Sequence, residues 1–197
     1  ARMLAGRSAT AQTVASIRHQ LGLDQPLLLQ FWHYLSGLLQ GDLGRSYAQK
    51  TEVWTLIAAR LPATLTLMAA GILVEVVLGL ILGTIAAIYR GGAIDRLVMM
   101  AAFVGVSAPQ FVVALLLLYL FAVTLGWFPM SGYGSSAHIV LPAVTLGVLG
   151  AGWYARMVRS AMIDVLNQDY VRTARAKGLG SSRVIGVHAL RNALIPV

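Results

Sequence analysis

Residues 61–89 read Leu61-Pro-Ala-Thr-Leu-Thr-Leu-Met-Ala-Ala-Gly-Ile-Leu-Val-Glu75-Val-Val-Leu-Gly-Leu-Ile-Leu-Gly-Thr-Ile-Ala-Ala-Ile-Tyr89, with Glu75 as the single charged side chain. A helix that crosses a bilayer needs roughly 20 mostly apolar residues, because each residue advances the chain by about 1.5 Å. This run is long enough, and two more blocks follow it. Residues 97–130 and 139–155 carry no charged side chain at all, the last being at the short end for a span. The sequence therefore predicts an all-α, polytopic membrane helical bundle with spans at about 61–89, 97–125 and 139–156. A further span starts at 188–197, and a connecting loop occupies 157–187. Residues 1–60 precede the bundle as a separate segment with short helices.

Composition supports that reading. The chain is 58% hydrophobic and 11% charged, with mean hydropathy +0.75, whereas soluble domains run at about 45–50% apolar and about 25% charged. There is no cysteine, so no disulfide framework, thiolate nucleophile or cysteine-based metal site is expected. His19, His33, His138 and His188 are scattered without metal-ligand spacing. Clustered nucleophiles or acid–base pairs, which a membrane enzyme needs, are missing from the spans. The net charge of +8 points to anionic lipid headgroups; nucleic acid is set aside because the spans contradict it. The chain opens at Ala1 without a methionine and ends inside a hydrophobic run, which reads as a fragment of a longer protein.

Charge also predicts orientation. Segment 90–96 holds Arg90 and Arg96 against Asp95, and 156–191 holds seven Lys and Arg against Asp164 and Asp169, while 131–138 holds no charge. Short basic loops stay on the cytoplasmic side. So 90–96 and 156–191 are expected inside, 131–138 outside, and 1–60 outside. In that outer segment, 8–21 reads as a short helix and Asp24-Gln-Pro26 as the start of a second, 27–39. Gly41-Asp-Leu-Gly44 reads as a turn. Trp32, Tyr34 and Trp54 suit a membrane surface, where an amphipathic ring is favoured, or an ordinary small core. Within the second span, Ser107-Ala-Pro109 predicts a kink, because proline lacks the N–H that an intact helix requires. The glycines at 79, 83, 147, 150 and 152 predict close helix packing.

The basic stretch 164–191 is the place where a partner is expected. Asn167 or Asp169 offers an N-cap, Leu166, Tyr170, Ala174 and Lys177 fall on one helical face, and Gly178 offers the left-handed position that ends a helix. Gly180 and Ser181-Ser182 start a new helix through Val184, Ile185, Val187, His188 and Leu190. A short helix, a bend and a return form either a rigid knob for a groove on another protein or a plain connector with solvated arginines.

This segment resembles the cytoplasmic EAA loop of ABC importer permeases, in the dipeptide/oligopeptide branch and of the first permease subunit type. With the motif glycine at Gly178, Arg172, Thr173 and Ala174 take the Glu-Ala-Ala positions and His188-Ala-Leu190-Arg191 the Ile-x-Leu-Pro positions. The general motif matches only at Ala174, Gly178 and Leu190, while Arg172-Thr-Ala-Arg-Ala-Lys-Gly-Leu179 and His188-Ala-Leu-Arg-Asn-Ala-Leu-Ile-Pro196 read as the branch does. Leu21-Gly-Leu-Asp-Gln-Pro-Leu27, Gly41-Asp-Leu-Gly-Arg-Ser46, Arg60-Leu-Pro-Ala-Thr64, Ser107-Ala-Pro-Gln-Phe111 and Gly126-Trp-Phe-Pro-Met-Ser-Gly132 extend the likeness over nearly the whole chain. The resemblance implies a multi-pass subunit in a bacterial inner membrane, with a second permease subunit, two ATP-binding subunits and an extracytoplasmic substrate-binding protein as partners. It also implies a first span before Ala1 and a sixth after Val197. Tyr170, Arg172, Thr173, Ala174, Lys177, Gly178 and Leu179 would form the ATPase-coupling surface. ATP and Mg would bind on partner chains; this chain has no Gly-Lys dipeptide and so no P-loop. It is expected to bind no cofactor or metal and to be no enzyme. Members of the branch carry dipeptides, oligopeptides, glutathione or nickel.

Glu75 is the second singular residue. An ionisable group inside a span faces a pathway or a partner, so it either lines the translocation path or makes a structural contact with a neighbouring helix. Gln110 and Asn192 are weaker path candidates of the same kind. A secondary transporter would call for several intramembrane charges, and the spans hold one.

Overall fold

The structure, a computed structural model, describes residues 10–195. The chain divides into two compact units at Thr64/Leu65.

In the first unit, α1 (Ala11–Gln20) is capped by Thr10, whose hydroxyl accepts from the Thr13 amide. The expected start of this helix at 8–9 lies outside the described residues. Helix α2 spans Leu27–Leu39. Pro26 occupies its N-cap position and makes no side-chain cap. Asp24 does not cap it: its carboxylate lies 3.8 Å from His19 instead. Proline fixes its own φ near the value a helix entry requires, so the entry forms without an acidic cap. The turn at 41–44 is present, closed by the Gly44 amide donating to Asp42 Oδ1 at 2.8 Å. A two-stranded antiparallel ribbon follows, β1 (Arg45–Ser46) against β2 (Thr51–Glu52). With two residues per strand it leaves the all-α class expected from the sequence intact, and its turn places Lys50 at φ +54.

Helix α3 (Val53–Ile88) begins eight residues before the expected span and runs through Pro62. In the second unit, α4 (Ala93–Ser107) and α5 (Gln110–Leu117) are separate helices, the latter continuing as a π-helical segment over Leu118–Thr124. The two arms meet at 106°. The expected single span over 97–125 with a kink is therefore a sharp break. Its cause is local: Ala108 and Pro109 both adopt extended backbone (ψ 134° and 125°), because proline pushes the residue before it out of the helical region.

Helix α6 (Ser136–Leu166) runs ten residues past the expected end of its span. Then come α7 (Asp169–Ala176), α8 (Ser181–Arg183), a second π-helical segment (Val184–Leu190) and α9 (Arg191–Ala193). Helices α3 and α6 are long and apolar enough to cross a membrane, and the bent pair α4/α5 is a third crossing if it counts as one span.

Small residues set the packing. A Cβ on Gly83 would sit 2.6 Å from the Ala155 carbonyl oxygen, and one on Gly147 would sit 2.5 Å from Val74 Cβ. The contacts 71–146, 79–155 and 83–158 advance together along both helices, so α3 and α6 run parallel. Helix α4 runs antiparallel to α6, with Ala102 opposite Gly152 and Asp95 opposite Arg159. Backbones this close gain dispersion contacts that larger side chains would prevent, which is how helices associate where lipid removes the hydrophobic driving force. Beneath this seam, Ala87, Val158, Met162, Ala189 and Ala193 form a buried cluster that ties the end of α3 to α6 and α9.

Candidate functional site: the helix after the long apolar span

Helix α7 is short, so its end and its underside decide whether it is rigid. The end is closed by a Schellman motif. Gly178 has φ +79, its amide donates to the Arg175 carbonyl at 2.9 Å, and the Leu179 amide reaches back to the Ala174 carbonyl at 3.3 Å. That crossed pair satisfies carbonyls that a helix end otherwise leaves open. The space around Gly178 is empty, with nothing within 4 Å of where a Cβ would stand. Glycine is needed here for its backbone conformation and not for room.

The start of α7 differs from expectation. Gln168 is the N-cap residue and makes no side-chain cap, and Asn167 ends α6 instead. Asp169 is the first helical residue, and its carboxylate lies 3.5 Å from the exposed Arg172. An acid in the first turn still favours the helix by opposing its positive end. Thr173 Oγ1 donates to the Asp169 carbonyl at 2.9 Å.

The underside is also rotated from the expected face. Val171 (0% exposed) and Ala174 (7%) are the buried pair, packed with Val184 and against Val165, Leu166 and Leu179. Tyr170 and Lys177, placed on the same face as Ala174 by spacing, are exposed. Leu166 belongs to α6, so a helical count carried across the 167–168 break misassigns the face. Of the seven coupling candidates, Tyr170, Arg172, Thr173, Lys177 and Gly178 are exposed, while Ala174 and Leu179 anchor the helix from below.

The three path candidates do not converge. Glu75 is half-buried and its carboxyl group lies against Gly150 of α6, in the position a Cβ would need. Gln110 stands at the first turn of α5 and lines a cavity of about 670 Å³ together with Leu67, Phe111, Met130, His138 and Thr145. Asn192 donates its amide to the His188 carbonyl at 2.8 Å. Among the described residues no His, Cys, Asp and Glu group has metal-holding geometry.

One pair escapes a reading of the sequence. Arg159 grips Asp95 through two bonds of 2.6 Å, Nε to Oδ1 and a terminal nitrogen to Oδ2. Asp95 is 4% exposed and also accepts from the Gly91 amide at 2.8 Å. In the sequence both residues stand out only as loop charges. The available signal is a pair of arginines, Arg156 and Arg159, amid the otherwise uncharged residues 151–162, and a lone acid just after the Gly91-Gly92 turn.

Closely packed helices, two of them long and apolar enough to cross a membrane, define a polytopic membrane domain. The chain belongs to the family described as binding-protein-dependent transport system inner membrane component, which matches residues 79–197; the N-terminal family of the same systems matches residues 1–68. Relatives include the glutathione transport system permease protein GsiC of Salmonella typhimurium, 47% identical over 197 residues, covering 100% of this chain and 64% of that protein. The proteins of the same name from Salmonella typhi and Escherichia coli are 46% and 47% identical with the same coverage. The chain thus spans just under two thirds of the length of these relatives.

Proposed function

We propose that this chain forms part of the translocation path of an ATP-driven importer of small peptides, working with a second permease subunit, two ATP-binding subunits and an extracytoplasmic binding protein. The observation that carries the reading is α7. Its underside is fixed to the chain's own core, its end is locked by Gly178, and its outer face carries Tyr170, Arg172, Thr173 and Lys177. Such a helix seats in a groove of an ATPase subunit and passes nucleotide-driven closure to the spans as rigid-body motion. ATP and Mg belong on those partners, and this chain does no chemistry on them. In this reading 90–96 and 157–187 are cytoplasmic and 1–60 is extracytoplasmic.

Glutathione is a tripeptide, so the substrate in the relatives' names falls within the peptide class; the nickel alternative draws no support from any group of metal ligands among the described residues. Gln110 is the path residue we favour, since it lines the cavity and an amide side chain can pair with a peptide group. Glu75 is better read as a packing contact with Gly150. The test is co-expression of the full-length chain with candidate ATPase and second-permease subunits and co-purification of the proteins, followed by uptake of labelled glutathione and dialanine into proteoliposomes with the binding protein. ATP-dependent accumulation of either supports the proposal. A complex that binds no ATPase, or that moves solute without ATP, refutes it.

A further inference from the structure

Helices α4 and α6 touch along their length, and two levels of contact stand out. At one, the Ala102 carbonyl oxygen lies 2.5 Å from where a Cβ of Gly152 would be; at the other, Arg159 holds Asp95. On each helix the levels are seven residues apart, about 10 Å along the axis. Two separated contacts fix both the distance and the tilt of one rod against another.

The Asp95–Arg159 level is unlike ordinary packing. Both carboxylate oxygens are taken by the guanidinium fork, and Oδ2 also receives the Gly91 amide. Planar, bidentate pairs of this kind specify geometry as well as energy. A buried ion pair often stabilises no more than a well-packed apolar pair of similar volume. Bulk stability is therefore a weak reason for its presence, and fixing the register of the two helices is the use of such a pair that its geometry suits.

Its position supplies a reason. Arg159 lies two turns before Leu166, the last residue of α6, and Val165 and Leu166 pack beneath α7. Asp95 lies in the first turn of α4, which ends at the 106° break into α5. The chain of contacts runs from α7 through the end of α6 and across the ion pair to α4 and the broken segment. We propose that Asp95 and Arg159 are positioning residues that clamp α4 to α6, so that displacement of α7 reaches the α4/α5 break as one rigid movement. The functional consequence rests on the importer reading given above, while the rigidity itself does not.

Both parts are testable on the full-length chain in complex with its partners. Asp95→Asn keeps shape and the acceptor for Gly91 but removes the charge, and Arg159→Gln removes the fork. In each, uptake per ATP hydrolysed is expected to fall about tenfold with hydrolysis within about twofold, as befits misplacement rather than lost chemistry. The double variant is expected to lose no more than the worse single variant, because the two residues act through one contact. An unchanged ratio, additive losses, or an Asp95→Asn chain that no longer assembles with its ATPases each overturns the clamp. Failure of the unsubstituted complex to accumulate solute with ATP counts against the importer reading alone. The clamp then stands or falls on a distance measurement: with nitroxides on Met100→Cys and Ser160→Cys, both exposed sites, the distance distribution should be narrow in the parent and broadened by Asp95→Asn. An equally narrow distribution in both overturns it.

Discussion

Helices α2 and α7 are both short and both carry exposed aromatic side chains, yet they are built in opposite ways. Helix α7 has eight residues and buries two of them completely or nearly so, and its C-terminal end is closed by crossed hydrogen bonds. Helix α2 has thirteen residues and buries none. Leu27, Leu28, Phe31, Trp32, Tyr34 and Leu39 all stand open. An isolated helix of this length is marginal in water, and most helical stability comes from packing an apolar face. So α7 is complete within its own chain and presents a finished, anchored helix. Helix α2 depends on something outside its own unit's core to cover its apolar residues. The first design suits the transmission of force and the second suits adhesion to a surface.

The sharpest way to break this contrast is to charge the anchor. Val171→Asp places an unpaired carboxylate in a site with no exposure, on the order of 3 kcal/mol or more in cost. We expect α7 to detach, with loss of ATPase co-purification, while the same change at the exposed Phe31 of α2 leaves assembly intact. The measurement is co-purified ATPase per chain. Equal loss in both variants would show that α7 is no more anchored than α2.

A smaller effect is expected at Gly178. A residue forced into the left-handed region costs roughly 1–2 kcal/mol, most for β-branched side chains and least for asparagine. Gly178→Val should therefore loosen the end of α7 and lower uptake more than hydrolysis, whereas Gly178→Asn should retain most uptake. Because the space around Gly178 is empty, side-chain bulk is not the cause. If asparagine were as harmful as valine, the backbone explanation would fail and direct contact with a partner would replace it.

What the sequence makes legible follows from how local each cause is. The long apolar runs and the left-handed glycine at 178 rest on neighbouring residues alone, and both are readable. The disturbance at Pro109 is readable as a kink, but its 106° angle is not. The face of α7 is misread when a 3.6-residue count is carried through Asn167 and Gln168, where the helix stops. Gln168 as N-cap residue is not readable, since its side chain makes no cap bond that composition would betray. The Asp95–Arg159 pair is out of reach for a different reason. Its partners are 64 residues apart, and only the antiparallel passage of α4 along α6 brings them together. The exposed face of α7 is thus partly legible and the ion pair behind it is not.

The smallest expected effect concerns α2, and it isolates the other half of the comparison. Leu28→Cys changes an exposed residue, so stability in detergent should shift by no more than about 0.5 kcal/mol. Aromatic and leucine side chains on one short helix favour the boundary between lipid headgroups and acyl chains. The cysteine should therefore react several-fold more slowly with a water-soluble maleimide in vesicles than in detergent. The exposed Lys177→Cys on α7, assayed in vesicles of the opposite orientation so that the reagent reaches its side, provides the control, since α7 already has its apolar face covered and should react alike in both media when no ATPase is present. If Leu28→Cys reacts equally fast in vesicles, lipid does not cover α2. Protection appearing only when the binding protein is added would then place α2 in a protein contact. Either result keeps α7 as the helix finished by its own chain and decides what finishes α2.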